Sequence, residues 1–513
     1  MSQNQRLSDL TVRGSLFDAF QLRVSEWPEA VAWVAANPEE TRSYWTWSEL
    51  SDSVLRTAAT LRRSGVNAGD RVANLGKNCA EWAILDLACS AIGAVHAPID
   101  ARVPDAWIHA CLKQLEPTYV CGGKRAGTRF AHANSSLQEL IASKSVDSFP
   151  RLSEVDPKRT ACILFTSGTT SSPRGVMLSH HNLLSNAAAK LDAMPQSPDD
   201  LRLNLLPFSH AYARTCELTT WILAGGTMAC AHGIDSALAQ AARLRPHLLN
   251  AVPAFYEELA RLIPSTSLQS TRIADMLGGR MRRLASGGAP LQDRVRQIFS
   301  HAELPVFQGY GLTEASPVVC SNRVSHDQPP ILCGVGPAVQ GVQVRVDEDQ
   351  RLWVSGEGVM QGYWRDPQAT EERIIDGWLD TRDIASIDVA DGQASLRIEG
   401  RLDEVQILAN GYKFSPRPLE HRLAGEMDAV AYCLLLGNGR RKPILAVQLA
   451  TQFEHVDGAK LLSQAKEVLK DQPDYIVPDA VWISPEPWTV TNGCLHWKGG
   501  INRREIQRRI GSA

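Results

Sequence analysis

The stretch FTSGTTSSPRGV, Phe165–Val176, lies between the apolar run ACIL and the helix-like run SHHNLLSNAAAKL. It therefore predicts a strand, a polar loop, a short strand and a helix. Backbone N–H groups of Gly-rich turns and hydroxyl groups bind anions, and the Arg174 guanidinium suits phosphate. The spacing is not that of a Walker loop. A flexible connector is the alternative, but the position between a buried strand and a helix favours an anion site.

Length and composition indicate a globular protein with more than one domain. The chain has 513 residues, and a single core stops growing at roughly 250–300 residues, so we expect at least two domains. Hydrophobic residues make up 44% and charged residues 21%, which is ordinary for a soluble protein. The net charge of −3 argues against a general nucleic-acid binder.

Targeting and redox signals favour a cytoplasmic protein. The N-terminal segment MSQNQRLSDLTVRG lacks the apolar core of a secretory signal. The apolar segment 82–99 is interrupted by Asp86, His96 and Pro98, which predicts a buried helix and strand and no integral membrane segment. The eleven cysteines include no C-x-x-C pair, which is typical of reduced thiols. A peripheral membrane contact stays open at this point.

Strands alternate with helices through the first two thirds of the chain. WSELSDSVLRTAATLRRSG predicts an amphipathic helix with Ser48 as its cap and Gly65 at its end. DRVANLG and VHAPID predict strands on either side of the helix CAEWAILDLACSAIGA. This alternation favours a parallel sheet covered by helices. After about Gly334, VQVRVDEDQRLWVSG and SLRIEGRLDEVQILANGYKFSP alternate in twos and predict hairpins, and AKLLSQAKEVLKD predicts a helix.

Two further motifs have residues that could bind a nucleotide. SGGAPL, Ser286–Leu291, has glycines that allow close backbone approach to a flat ligand. QGYGLTEASP, Gln308–Pro317, places an aromatic ring between glycines and an acid, Glu314, that could bind Mg²⁺. Each has a structural alternative, a plain loop or a solvated carboxylate.

Two C-terminal motifs have similar alternatives. GWLDTRDIA carries Asp383, which could accept hydrogen bonds from a ribose diol or form a turn salt bridge with Arg382. EGRLDEVQILANGYKFSP carries Arg401, a candidate ribose or phosphate ligand. Its Asp403 stands where a C-terminal unit would begin, although a continuous β-rich extension without a hinge is equally compatible.

The motifs in this order, from Tyr44 to Arg504, resemble the adenylate-forming superfamily of acyl-CoA synthetases, peptide-synthetase adenylation domains and luciferases. The resemblance implies an α/β fold: a large N-terminal domain, residues 1–401, of helix-covered sheets plus a β-barrel-like subdomain, and a small mobile α+β C-terminal domain, residues 402–513, after a hinge at Asp403. EWAILDLACSAIGAVHAPID and LPFSHAYARTCEL are similar to long-chain fatty acyl-CoA synthetases.

The resemblance implies a two-step reaction at one site. A carboxylic acid, expected to be a medium- or long-chain fatty acid, attacks MgATP to form an acyl-adenylate, and coenzyme A then takes the acyl group. Mg²⁺ would contact Thr166 and Glu314, with Thr313 beside them, and His210, Tyr212 and Gly411 would lie near the acyl and thiol groups. The nucleotide would be held by Thr166, Ser167, Gly168, Thr169, Thr170, Arg174, Gly287, Gly288, Gln308, Tyr310, Gly311, Asp383 and Arg401.

The sequence departs from the family pattern at four positions. Ser171 and Arg174 replace a glycine and a lysine of the phosphate loop, and Arg382 replaces a glycine before the ribose aspartate. A catalytic lysine often stands where this chain has Cys494, and Lys498 is the candidate to replace it. Two alternatives remain: a ligase that loads an acyl-carrier protein or uses an aryl acid, and a non-catalytic binding relative without the lysine.

Overall fold

The computed structural model describes residues 14–35, 42–100, 102–122, 134–142, 155–167, 173–262, 269–324, 334–390, 393–451, 453, 456–489, 491–495 and 500–511. The chain divides into two compact units. The first unit contains residues 1–345, 353–381 and 388–396, and the second contains 346–352, 382–387 and 397–513. The mixed α/β architecture, with a large N-terminal and a small C-terminal part, confirms the predicted fold class. The exact boundary at residue 402 stays a prediction.

An eight-stranded sheet carries the glycine-rich loops of the first unit. Its order is Val318–Ser321, Val306–Gly311, Arg283–Ser286, Leu248–Ala251, Leu201–Asn204, Thr227–Cys230, Val31–Val34 and Tyr44–Thr46. The strands Leu248–Ala251, Arg283–Ser286 and Val306–Gly311 are parallel neighbours. Their carboxyl ends therefore meet at one edge, where open α/β sheets usually bind ligands.

A six-stranded sheet carries the predicted phosphate loop. Its order is Gly362–Tyr363, Pro173–Ser179, Thr160–Ser167, Val95–Pro98, Arg71–Leu75 and Tyr119–Gly122. The two strands and the helix that the sequence around Phe165–Val176 predicts are confirmed, while residues 168–172 of the loop lie outside the described residues. The following helix begins at His180 because the Ser179 side chain accepts from the Asn182 backbone, and Asn182 caps Ser179 in return.

The helices of the first unit cover these sheets. The helix Ala80–Ile92 is buried along its whole length, as the apolar segment predicts, and ends at Gly93 with φ +69°. The remaining helices are Leu16–Glu26, Trp47–Arg63, Asp105–Leu115, Leu137–Ile141, His180–Ala193, Ala211–Ala213, Thr220–Ala224, Ile234–Leu244, Pro253–Arg261, Gln269–Met276, Asp293–His301 and Pro367–Arg373, with a π-helix at Arg214–Thr219 and a 3₁₀ turn at Thr313–Ala315. Across the described part of the chain, no helix has the length and apolar character needed to cross a membrane.

One predicted helix cap is wrong. The helix Trp47–Arg63 is capped by Thr46, not by Ser48. The Thr46 hydroxyl accepts from the Glu49 backbone at 3.2 Å, and the Glu49 carboxylate accepts from the Thr46 backbone at 3.0 Å. This reciprocal pair satisfies two backbone donors, which a cap at Ser48 would leave open.

The predicted hairpins are confirmed. Val342–Val346 and Arg351–Gly356 belong to a sheet that continues with Trp378–Ala390 and Ile374–Ile375, and Gln393–Arg401 pairs with Trp378–Ala390. In the second unit, Gln406–Ile407 pairs with Lys413–Phe414 across the turn at Gly411. A three-stranded sheet, Val430–Leu436, Ile444–Leu449 and Ala480–Ile483, packs with the helices Pro416–Glu426, Gly458–Val468 and Arg503–Gly511; 3₁₀ turns occur at Leu402–Glu404 and Asp474–Ile476.

Candidate active site

The two strands beside the predicted phosphate loop are held in register. Thr166 pairs with Arg174 and Ser167 with Pro173. The Thr166 hydroxyl lies 3.5 Å from the Arg174 carbonyl oxygen and donates to it. The predicted ligands Gly168, Thr169 and Thr170, and the substituted Ser171, lie outside the described residues. The strands therefore bring Thr166 and Arg174 to the start and the end of the same loop.

A chain of contacts joins Arg174 to the predicted metal ligand. The Arg174 guanidinium lies 5.6 Å from the centroid of the Tyr363 ring, within cation–π range. The Tyr363 hydroxyl donates to Oε1 of Glu314 at 2.8 Å. Arg373 approaches the same carboxylate oxygen at 3.9 Å and donates to the Thr381 carbonyl oxygen at 3.2 Å. Tyr363 and Arg373 thus meet at Glu314, and Arg174 is joined to it through the Tyr363 ring.

Electrostatics keeps the Tyr363 hydroxyl in its donating form. Burial and the neighbouring Glu314 carboxylate both raise the pKa of Tyr363. Glu314 is buried, at 9% exposure, and its Oε1 has one neutral donor, Tyr363, and one nearby cation, Arg373. The carboxylate is therefore fixed in orientation before any ligand binds.

The donor set at Glu314 fits Mg²⁺ held jointly with phosphate. Within the described residues, no group of three or more His, Cys, Asp or Glu could hold a metal alone. Mg²⁺ in phosphate-transfer sites commonly uses one or two carboxylates and takes its other ligands from substrate and water. Glu314 supplies one such carboxylate, and Thr166 stays the predicted second ligand.

The glycines of the two motifs allow neighbouring protein atoms to pack closely against the backbone. A Cβ on Gly287 would lie 3.2 Å from the Tyr212 ring, and Gly288 has φ +84°, which favours glycine. A Cβ on Gly311 would overlap the Pro317 carbonyl oxygen. Tyr310 is half-buried and precedes the turn Thr313–Ala315. The strand ends thus bring the SGGAPL and QGYGLTEASP motifs, and Tyr212, together.

Gln308 positions the SGGAPL loop. The side-chain Oε1 of Gln308 accepts from the Leu291 backbone N–H at 3.2 Å. The backbone N–H of Gln308 donates to Oδ1 of Asn322 at 2.7 Å. The structure gives Gln308 this loop contact in addition to the adenine contact that the resemblance implies. His210 lies close to another buried acid, with its Nε2 3.8 Å from Oδ2 of Asp100.

The predicted ribose ligands lie together in the second unit. Arg401 Nη1 lies 3.1 Å from Oδ1 of Asp383, and its Nε lies 3.1 Å from Oδ1 of Asp403. Burial opposes the charge on Arg401, but Asp383 and Asp403 raise the pKa of its guanidinium. One side chain thus links the predicted ribose ligand to the predicted hinge.

The backbone conformation at Arg382 is one that favours glycine. Its φ is +58°, in the left-handed region, which costs a residue with a Cβ about 1 kcal/mol. Gly411, at φ +83°, forms the turn of a hairpin in the same unit. Lys498 lies outside the described residues.

Sequence reasoning missed Tyr363 and Arg373. Tyr363 belongs to MQGYWRDP, in which a glycine precedes two aromatic residues, and that pattern could have marked it. Arg373 has no local signal, since it reaches Glu314 only through the fold.

Comparison with known proteins identifies the class. The solved structure of ATP-bound MatB from Rhodopseudomonas palustris superposes with a TM-score of 0.80 at 24% identity, over 96% of this chain and 98% of that chain, which shows the fold. Feruloyl-CoA synthase of Amycolatopsis sp is 30% identical over 479 residues, which are 90% of this chain and 94% of that protein. Long-chain-fatty-acid–CoA ligase FadD15 of Mycobacterium bovis is 27% identical over 81% of this chain and 78% of that protein.

Two family models match the chain. Residues 20–364 match the AMP-binding enzyme family, and residues 403–486 match the AMP-binding enzyme C-terminal domain. The chain belongs to the AMP-binding enzyme family, whose members among its relatives include acyl- and aryl-CoA ligases.

Proposed function

We propose that this protein activates a carboxylic acid with ATP and transfers the acyl group to coenzyme A, with release of AMP and pyrophosphate. The observation that carries the proposal is the contact chain from Arg174 through Tyr363 to Glu314. It joins the phosphate-loop strand to the carboxylate of the GYGLTE motif. Such a site places positive charge and oriented hydrogen-bond donors next to the phosphate oxygens on which negative charge develops in the transition state.

In the first step, a carboxylate oxygen of the acid attacks the α-phosphorus of ATP and pyrophosphate leaves. Arg174 and the loop residues Thr166, Ser167, Gly168, Thr169 and Thr170 hold the leaving phosphates. Glu314 and Thr166 would hold Mg²⁺, which would supply charge stabilisation at phosphate oxygens. Tyr310, Gly287, Gly288, Gly311 and Gln308 accommodate adenine, while Asp383 and Arg401 hold the ribose.

In the second step, the thiol sulfur of coenzyme A attacks the acyl carbon and AMP leaves. The resemblance implies that a hinge at Asp403, at the start of residues 402–513, separates the two steps, with Lys498 acting in the first step and Gly411 in the second. Arg401 contacts both Asp383 and Asp403, so the predicted ribose ligands and the predicted hinge residue are neighbours in the second unit.

Two classes of carboxylic acid are candidates for the substrate. A medium- or long-chain fatty acid is favoured by the sequence resemblance and by FadD15, at 27% identity. An aromatic acid is favoured by feruloyl-CoA synthase, at 30% identity over 90% of this chain. Transfer to an acyl-carrier protein has no support among these relatives.

A panel of acids tests the proposal. The purified protein is incubated with ATP, Mg²⁺ and coenzyme A, or with a phosphopantetheinylated carrier protein, and each of several fatty and aromatic acids. Mass spectrometry of the thioester and quantification of AMP are the readouts, with Glu314→Gln as the inactive control. AMP and acyl-CoA in equal amounts for at least one acid support the function. ATP binding without thioester or AMP for every acid would indicate a non-catalytic relative.

A further inference from the structure

A short segment of the first unit brings two side chains to Glu314. The tyrosine comes from the strand Gly362–Tyr363, and the arginine comes from the end of the helix Pro367–Arg373. The backbone N–H of the tyrosine donates to Oγ1 of Thr370 at 2.9 Å, which ties the strand to the helix. The guanidinium at the helix end therefore has a fixed place beside the carboxylate that the tyrosine orients.

Arg373 is a buried cation with unused hydrogen-bond donors. It is 7% exposed, and its Nη2 donates to the Thr381 carbonyl oxygen at 3.2 Å. Its Nε and Nη1 are buried and donate to no described group. Among the residues that the structure describes, Glu314 is the only carboxylate that forms an ion pair with it, at 3.9 Å. A buried charge needs a counter-ion, and Glu314 is the counter-ion of Arg373.

The contact between Arg373 and Glu314 is electrostatic. A separation of 3.9 Å is too long for a hydrogen bond. The orientation of Glu314 is already fixed by Tyr363, which donates to the same oxygen at 2.8 Å. Arg373 therefore contributes charge to the site and adds little to its geometry. Coulomb interactions at this distance are strong where the surrounding protein excludes water.

A cation this close to the carboxylate competes with a metal ion for it. Mg²⁺ binds a carboxylate oxygen at about 2.1 Å, so an ion on Glu314 would lie within about 6 Å of the Arg373 guanidinium. The two charges have the same sign and repel each other. Without a nucleotide, nothing in the neutral pair of Arg373 and Glu314 offsets that repulsion. The phosphates of ATP bring negative charge that attracts both cations.

We propose that Arg373 makes metal binding at Glu314 conditional on the nucleotide. In the free protein, the guanidinium neutralises the carboxylate, and Glu314 accepts Mg²⁺ only when phosphate charge enters the site. This proposal rests on the part of the proposed function that assigns MgATP to Glu314. Arg373 acts through Glu314 and is therefore a positioning residue.

Metal binding without a nucleotide tests the proposal. Mn²⁺, which prefers the same oxygen ligands as Mg²⁺, is the probe, and electron paramagnetic resonance counts the free ion. Arg373→Met removes the charge at similar length, and Arg373→Gln removes it but keeps a donor for the Thr381 carbonyl. Each is expected to raise the Mn²⁺ affinity of the nucleotide-free protein about tenfold. Arg373→Lys keeps the charge and should stay close to wild type.

Two controls assign the effect to Glu314. In a Glu314→Gln background, Arg373→Met and Arg373→Gln should no longer raise the Mn²⁺ affinity, because the carboxylate is gone. Arg365→Met removes a cation whose partner is Glu116, at 2.7 Å, and should leave the Mn²⁺ affinity unchanged.

Calorimetry with the Mn²⁺–ATP complex tests the dependence on nucleotide. Arg373→Met should bind this complex within about threefold of the wild-type affinity, because phosphate charge offsets the arginine there. A gain with Mn²⁺–ATP equal to the gain with Mn²⁺ alone would overturn the inference.

The wild-type protein is decisive even if the neutral variants do not fold. Without a nucleotide, it should bind Mn²⁺ no more tightly than Glu314→Gln does, since Arg373 holds the carboxylate. Wild-type binding that is tighter by about tenfold would overturn the inference. An unchanged or lowered Mn²⁺ affinity in folded Arg373→Met and Arg373→Gln would also overturn it, and would make the arginine a structural residue.

These outcomes are separate from those of the acid panel, because no acid is added. Thioester formation, together with an unaltered Mn²⁺ affinity in the variants, would overturn this inference and leave the proposed function intact. The expected rise in Mn²⁺ affinity, without thioester from any acid, would support the role of Arg373 and overturn the proposed function.

Discussion

The Tyr363 hydroxyl donates a hydrogen bond of 2.8 Å to Oε1 of Glu314, although the two residues are 49 positions apart in the chain. Both side chains are buried, and Tyr363 also lies against the Arg174 guanidinium. This contact orients Glu314, the carboxylate of the GYGLTE motif that we propose as a ligand of Mg²⁺. The proposed chemistry depends on it.

Glu314→Gln should lower acyl-adenylate formation about a hundredfold or more, because the amide keeps the shape but loses the charge that would hold Mg²⁺. Tyr363→Phe should have a smaller effect, about tenfold, because it removes only the orienting hydrogen bond. Exchange of labelled pyrophosphate into ATP measures this step. Full activity of Glu314→Gln, in a protein with wild-type circular dichroism, would exclude the assigned role.

Arg174→Ala should weaken adenylation while leaving thiolysis of a supplied acyl-adenylate nearly unchanged. In the proposed mechanism the guanidinium contacts the phosphates only in the first step, and pyrophosphate has left before the second. Arg174→Lys, which keeps the charge, should retain more adenylation activity. Equal loss in both half-reactions would mean that Arg174 supports the fold and not the pyrophosphate.

Lys498→Ala should greatly slow acyl-adenylate formation while sparing ATP binding. A lysine near the α-phosphate would stabilise charge in that transition state alone. ATP affinity by calorimetry and pyrophosphate release after mixing with acid are the two measurements, with Arg504→Ala as the neighbouring control. Pyrophosphate release at the wild-type rate would remove Lys498 from the mechanism.

His180 should make stability depend on pH. Its Nδ1 accepts from the Leu16 backbone at 3.3 Å, and burial lowers its pKa from 6.5 to about 4. Below pH 6.5 the unfolded chain binds a proton that the folded protein does not, so the free energy of unfolding falls as pH drops from 6.5 to about 4. The loss attributable to His180 is about 3 kcal/mol.

Urea unfolding across this pH range, in wild type and His180→Asn, measures that contribution. Asparagine keeps an acceptor for Leu16 but does not titrate, so its stability should fall less with acid. Parallel curves for the two proteins would contradict the assignment.

Local patterns in the sequence predicted much of the fold. The strand Thr160–Ser167, the helix Ala80–Ile92 and the turn at Gly411 follow from apolar runs and glycine positions, which are local signals. The cap at Thr46 was missed because Thr46 and Ser48 have equivalent side chains, and only the partner Glu49 distinguishes them.

The site was predicted less completely, since its contacts are long-range. Glu314 was recognisable from its motif, but its partners Tyr363 and Arg373 come from distant segments.

Oxygen labelling tests the central claim most directly. An acid that the panel shows to be a substrate, labelled with ¹⁸O in its carboxylate, is incubated with the protein, ATP, Mg²⁺ and coenzyme A, and the products are analysed by mass spectrometry. Attack of the carboxylate on the α-phosphorus predicts one ¹⁸O in each AMP and none in pyrophosphate. AMP without label, or label in inorganic phosphate, would contradict an acyl-adenylate route.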